Sequence, residues 1–182
     1  MLKVAIIGPE STGKSTLCRQ LAEHYQTLWV PEYARAYLQE HGKSYNYDSL
    51  LEIAKGQWAL EREYEEKIKV GEPALNIQHP AILFSDTEMY VMKVWAEFVF
   101  GKCHHWIIDK AVEQHYDLYL LCNIDLAWTY DVLREYPAPE PRQRLFRMYK
   151  DILINQPVPW AIISGDYQQR LSESITAVDR IL

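Results

Sequence analysis

The run Gly8-Pro9-Glu10-Ser11-Thr12-Gly13-Lys14-Ser15 constrains the fold more than any other feature of the chain. It follows Leu2 to Ile7, a short apolar run with β-branched residues, and precedes Leu17, Cys18, Leu21, Ala22 and Tyr25, which share one helical face. A short apolar run ending at glycine reads as a strand buried on both faces, as in a parallel sheet. The second group has the spacing of an amphipathic helix. A strand, a GxxxxGK[ST] loop and a helix in that order make a cradle for phosphate oxygens. The glycines let successive N–H groups turn inward, and the helix N-terminus adds a positive end. Lys14 can reach the β- and γ-phosphates, and the Ser15 hydroxyl can ligate Mg²⁺. Gly8, Glu10, Ser11, Thr12, Gly13, Lys14, Ser15 and Thr16 are therefore the candidate nucleotide-binding set. Glu10 is awkward among them, because a carboxylate in an anion-binding loop must point away from the phosphates.

The rest of the chain alternates strand and helix. Leu28 to Pro31 reads as a second strand, and Glu32 to His41 as a helix stopped by Gly42. Tyr47 to Lys69 is a longer helix with Leu50, Leu51, Ala54 and Trp58 on one side, closed by Gly71 and Pro73. Its charge-rich half, Glu61 to Lys69, is expected to be a solvated face. Strands are expected at Ala81 to Phe84, Leu118 to Cys122 and Pro159 to Ile163, and helices at Glu88 to Phe98, Cys103 to His115, Gln143 to Asn155 and Asp166 to Leu182. Pro137, Pro139 and Pro141 forbid a continuous helix between Leu126 and Arg142. This order implies βαβ units, hence an α/β fold with a parallel sheet of about five strands and helices on both faces. The 182 residues fit one P-loop domain, 1–182, with a mobile insertion near 125–142.

Charge and cysteine content narrow the partners. Nineteen basic against twenty-five acidic residues give a formal charge of −6, which argues against a general nucleic-acid binder. No apolar run approaches the roughly 20 residues of a membrane span, and the N-terminus turns polar too soon for a signal peptide. Three cysteines with no CxxC pair suggest free, mostly buried thiols in a reducing compartment, so the cytoplasm is expected. Small molecules are the expected partners, with a homo-oligomer left open.

Further segments carry chemistry. Asp86, at the end of the third strand in Ser85-Asp86-Thr87-Glu88, is placed to organise Mg²⁺ or to take a proton; Ser85, Asp86 or Thr87 could also cap the next helix, with Glu88 in its first turn. Pro31-Glu32-Tyr33-Ala34-Arg35 ends the second strand where a phosphoryl acceptor would sit. Glu32 could accept a hydroxyl proton or bind a sugar diol, Arg35 could steady phosphate charge, and Tyr33 or Tyr37 could stack on a flat ring. Tyr45 and Tyr47 add aromatic density nearby. Asp125 to Arg134, continuing to Arg142, Arg144 and Arg147, suggests a lid that supplies charge and excludes water, with Trp128 as a stacking platform. A solvated basic helix with Trp128 in the core is the plainer alternative. His104, His105 and His115 lack metal-ligand spacing. The loop Ser164-Gly165-Asp166-Tyr167 follows the last strand, where such loops often border a nucleotide base.

Taken together, Gly8 to Leu17, Val30-Pro-Glu-Tyr-Ala-Arg35, Ile53-Ala-Lys-Gly-Gln57 with Glu61, Asp86-Thr87, Trp95, Gly101, Tyr116 to Cys122, the Asp125/Trp128/Asp131/Arg134 pattern and Gly165 resemble the ribosylnicotinamide kinase domain of bacterial bifunctional NAD-biosynthesis regulators. The resemblance covers nearly the whole chain. It implies a fold like that of nucleoside and nucleoside monophosphate kinases, with ATP and Mg²⁺ as cofactors. It also implies phosphorylation of the 5′-hydroxyl of nicotinamide riboside to nicotinamide mononucleotide. Lys14, Asp86, Glu32 and Arg134 would be catalytic; Ser15 and Asp86 would hold the metal; Glu32, Tyr33, Arg35, Trp128 and Asp131 would bind the acceptor. There is no nucleotidyltransferase HxGH motif, so a stand-alone kinase or a fragment is expected.

Two alternatives stay open. One is a kinase for another nucleoside or a nucleoside monophosphate. The other is a P-loop ATPase or GTPase acting as a binding switch; Cys122-Asn123-Ile124-Asp125 lacks the lysine of a guanine-reading [NT]KxD motif, which argues against the GTPase.

Overall fold

The computed structural model describes residues 1–70 and 81–182; Gly71 and Pro73, read as closing the long helix, lie outside the described residues. Strand β1 (Leu2–Ile7) is central because both its faces are covered. Val4 and Ile6 join one apolar cluster, and Ala5 and Ile7 join another on the opposite side. Full burial of a Val or Ile side chain stabilises by about 1.5–3 kcal/mol. β1 is flanked by β3 (Ile82–Asp86) and β4 (Leu118–Cys122), with β2 (Trp29–Val30) and β5 (Trp160–Ile163) at the edges. The order is β2-β3-β1-β4-β5 and every pairing is parallel. The strand register sets Ile6 beside Asp86, so the strand-end acid stands next to the loop that starts at Gly8.

Helices cover both faces. α1 (Lys14–His24) packs on one face, where Leu17, Cys18 and Leu21 meet Val4, Ile6 and Phe84. After α2 (Tyr33–His41) come α3 (Tyr47–Val70), α4 (Met89–Phe100), α5 (His105–Glu113), α6 (Pro139–Ile154) and α7 (Tyr167–Asp179). Val178 of α7 completes the α1 face, while Val91 and Val94 of α4 and Leu145 and Tyr149 of α6 cover the other. No described helix is long and apolar enough to cross a membrane. Cys18 and Cys122 are buried, Cys103 is half-buried, and all are free.

The structure corrects two local expectations. The charged half of α3 is not all solvated, because Glu61 and Glu65 are buried with Lys3 of β1. The Lys3 ammonium donates to both carboxylates, and the Tyr116 hydroxyl donates to Glu61 at 2.8 Å. A buried charge survives only when it is paired and hydrogen-bonded in this way. Helix α6 also starts at Pro139, ahead of Gln143, and includes Pro141. Both prolines sit in the first turn, where the missing N–H groups have no intrahelical partner in any case.

Candidate active site

The loop from Gly8 to Ser15 borders a cavity of about 230 Å³. Gly8 has φ +139°, and a Cβ there would lie 2.8 Å from the Cys122 carbonyl oxygen, so only glycine fits against β4. The loop closes on itself, with the Thr12 hydroxyl and the Lys14 ammonium donating to the Pro9 carbonyl at 2.8 and 2.9 Å. Arg170 of α7 holds it from behind. This buried guanidinium donates to the carbonyls of Thr12 (3.1 Å), Asn123 (3.0 Å) and Gly165 (2.8 Å) and pairs with Asp125. Sequence reasoning missed Arg170; its signal was an arginine on the face of α7 that also buries Ser174 and Val178.

Asp86 is fully buried at the end of β3, and neither carboxylate oxygen has a hydrogen-bond partner. Burial raises its pKa; Lys14 lowers it, Glu32 raises it further, and Ser15 and Arg35 pull it down. The net shift is upward. An unpartnered buried carboxylate beside a serine hydroxyl is a donor set of the hard-oxygen kind that Mg²⁺ takes, so these residues fit that ion. The next residue, Thr87, has φ +87° and a buried hydroxyl without a partner, and it lines the cavity. A β-branched residue in that conformation is strained, as residues at functional sites often are. Glu88, rather than Ser85, Asp86 or Thr87, caps α4, accepting from the Tyr90 and Val91 amides at 2.7 and 3.1 Å. Burial pushes the Glu88 carboxyl up to about 7, against hydrogen bonds from Tyr90, Gln114 and Val91 that lower it.

Glu32 and Arg35 line the cavity next to the phosphate loop. Tyr33 does not. A Cβ on Gly56 would lie 2.0 Å from Tyr33 Cε1, so the ring occupies the space that glycine leaves on α3. Gln57 fixes this start of α2, accepting from the Tyr33 amide at 2.7 Å and donating to the Pro31 carbonyl at 3.3 Å. The aromatic wall of the cavity is instead Tyr45 and Trp95, with Trp95 Nε1 donating to the Tyr45 hydroxyl at 2.9 Å. Trp95 lies on a helix face whose period shows burial but not which cavity it borders.

Residues 123–138 run between β4 and α6 and are bound to the phosphate loop. The Ser11 hydroxyl accepts from the Thr129 amide at 2.9 Å, and the Glu10 carboxylate accepts from the amides of Glu135 (3.0 Å) and Tyr136. Arg134 lines the cavity and donates to the Thr129 carbonyl. Arg142 is buried and reaches the Ser11 carbonyl at 3.4 Å. Arg144 lies over the Phe98 ring at 5.2 Å, and Arg147 is exposed on α6. Asp131 is outside the cavity lining and pairs with Arg35 at 3.0 Å. The Leu133 amide and then Arg35 hold its carboxyl below the usual range. Trp128 is half-buried, edge-on to Tyr130 at 6.3 Å, and outside the cavity lining; its indole N–H is buried without a partner. Tyr167, the first residue of α7, lines the cavity from beyond the loop that follows β5.

A five-stranded parallel sheet with this loop on its central strand and an acid at the end of the neighbouring strand defines an α/β P-loop nucleotide-binding domain. The chain belongs to the AAA domain family, whose model matches residues 3–170. Among curated proteins it is 24% identical to the trifunctional NAD biosynthesis/regulator protein NadR of Salmonella typhimurium (strain LT2), across 98% of this chain and 42% of that protein. The chain thus spans less than half the length of that relative. Among solved structures, a NadR protein in complex with NR superposes with a TM-score of 0.76 at 23% identity, over 99% of this chain and 51% of that one. Thymidylate kinase from Ehrlichia chaffeensis superposes with a TM-score of 0.65 at 15% identity, over 97% and 98% of the two chains. The chain is a P-loop domain of nucleoside- and nucleotide-kinase-like fold, related to NadR.

Proposed function

We propose that this chain is an ATP-dependent kinase that phosphorylates the 5′-hydroxyl of nicotinamide riboside, giving nicotinamide mononucleotide. The observation that carries this reading is the continuity of one cavity. It runs from the phosphate loop past Glu32 and Arg35 to the aromatic wall of Tyr45 and Trp95. A donor phosphate and a flat acceptor ring therefore have adjoining places. The relation to NadR over nearly the whole chain supports nicotinamide riboside as the acceptor.

The loop amides and Lys14 bind the triphosphate and neutralise charge as the γ-phosphoryl group moves. Ser15 and Asp86 would hold Mg²⁺, which when bound supplies further neutralisation of the phosphate oxygens. Glu32 lines the open cavity and Asp86 does not, which supports Glu32 over Asp86 as the acceptor of the 5′-hydroxyl proton. Arg35 and Arg134 stand on the cavity wall to steady the transferred group. Residues 125–142, of which 139–142 open α6, act as the lid, keeping water from competing with the acceptor. A pyridinium ring over an aromatic face gains about 0.5–2 kcal/mol, and the net-acidic chain adds a mildly favourable field.

Incubation with Mg²⁺, ATP and nicotinamide riboside, followed by mass spectrometry, tests this. Nicotinamide mononucleotide and ADP should form in equal amounts, and Lys14→Ala should form neither. Equal ADP release with and without acceptor would instead mark an ATPase.

A further inference from the structure

Glu10 is the one acidic side chain of the phosphate loop, and nothing in phosphate binding calls for it. Like charge should disfavour a carboxylate there. We infer that Glu10 is a positioning residue that ties the phosphate loop to the aromatic wall of the acceptor cavity.

Both of its oxygens are used. One accepts from the Glu135 amide at 3.0 Å and the other from the Tyr136 amide. A carboxylate that takes two consecutive backbone N–H groups fixes that peptide in place and in orientation, through charge-assisted hydrogen bonds. The peptide carries both side chains that support the wall. The Tyr136 ring stands edge-on to Trp95 at 5.6 Å and to Phe98 at 5.2 Å. The Glu135 carboxylate faces Tyr45, whose hydroxyl burial and this neighbour push well up in pKa. Tyr45 and Trp95 are in turn joined by the 2.9 Å hydrogen bond. An unbroken line of contacts therefore runs from the phosphate loop to the acceptor wall.

The charge of Glu10 gives this line a direction. Phosphates seated in the loop repel the carboxylate and favour the arrangement in which it faces the Glu135 and Tyr136 amides. Donor binding should then shape the acceptor cavity and bind the acceptor more tightly. The inference needs an acceptor in this cavity but not its identity as nicotinamide riboside.

Glu10→Gln and Glu10→Asp test it. Glutamine keeps the length but turns an NH₂ toward one amide; aspartate keeps the charge but falls short of both. Hydrogen exchange in the nucleotide-free protein should quicken by about tenfold or more at both the Glu135 and Tyr136 amides in Glu10→Asp and at one or both in Glu10→Gln, the scale of a lost hydrogen bond to a charged group. In steady-state kinetics the acceptor KM should rise, the ATP KM should stay level or fall in Glu10→Gln, and acceptor-independent ADP release should grow. Unchanged exchange at both amides would overturn the inference, as would a raised ATP KM with an unchanged acceptor KM. The exchange measurement uses no substrate, so it stands even if nicotinamide riboside proves to be the wrong acceptor.

Discussion

Arg35 on α2 and Asp131 in the segment before α6 form a 3.0 Å ion pair, joining the cavity wall on α2 to the segment that carries Arg134. Arg35 is 44% exposed, and an exposed pair of this kind is worth about 0–1 kcal/mol. Such a contact can hold a segment closed while leaving it free to open for exchange of substrates.

Asp131→Asn should therefore raise the acceptor KM by no more than about fivefold and leave kcat nearly unchanged. High salt should reproduce the effect in the unmodified protein and add little in the variant. Initial-rate measurements at two ionic strengths check this.

Asp86→Asn removes a charge that is buried without a partner. Turnover should fall by about 10²-fold or more, since charge stabilisation in the transition state is lost. The nucleotide-free variant should at the same time melt at a higher temperature, because the cost of burying the charge outweighs the pull of Lys14, Ser15 and Arg35. Loss of turnover together with a lower Tm would point to a structural role instead.

The pH dependence of stability has a definite sign at Glu88. Burial raises its carboxyl from 4.5 to about 7 in the folded state. The folded state then binds the proton more tightly than the unfolded chain between those values. This contribution to stability is complete below 4.5 and is lost as pH rises through about 7. Glu88→Gln cannot titrate, so its Tm should fall less than that of the unmodified protein over the same range. Thermal melts of both proteins across the range give the comparison.

Arg170→Met keeps much of the volume but removes the donors to the Thr12, Asn123 and Gly165 carbonyls and the partner of Asp125. Leaving backbone carbonyls without their donors costs about 1–3 kcal/mol each where they are buried, and the part-exposed Asp125 end of the pair adds little. Urea unfolding should show a loss of that order, and the ATP KM should rise because the loop loses its support.

Much of this fold is legible in the chain. The β1 and β4 boundaries follow from short apolar runs, and the phosphate loop from its spacing between strand and helix. Periodicity shows which face of an element is buried, but not which polar partner waits there. That is why Glu61 and Glu65 read as solvated until Lys3 is seen beneath them. The same limit applies in the site. Glu32 and Arg35 line the cavity, yet the space left by Gly56 draws the Tyr33 ring toward α3, and Trp95 from a distant helix lines the cavity instead. Pro139 and Pro141 read as breaks because their harmless place in the first turn of α6 depends on where the helix begins.

The most direct measurement is kcat/KM for nicotinamide riboside against adenosine, cytidine, uridine and thymidine, each with saturating Mg²⁺ and ATP. Nicotinamide riboside should give the highest value. Charge alone accounts for only about 0.5–2 kcal/mol of the preference, so the fit of the ring against Tyr45 and Trp95 must supply the rest. A higher kcat/KM for any of the neutral nucleosides would contradict the proposed acceptor and make this chain a kinase for that nucleoside instead.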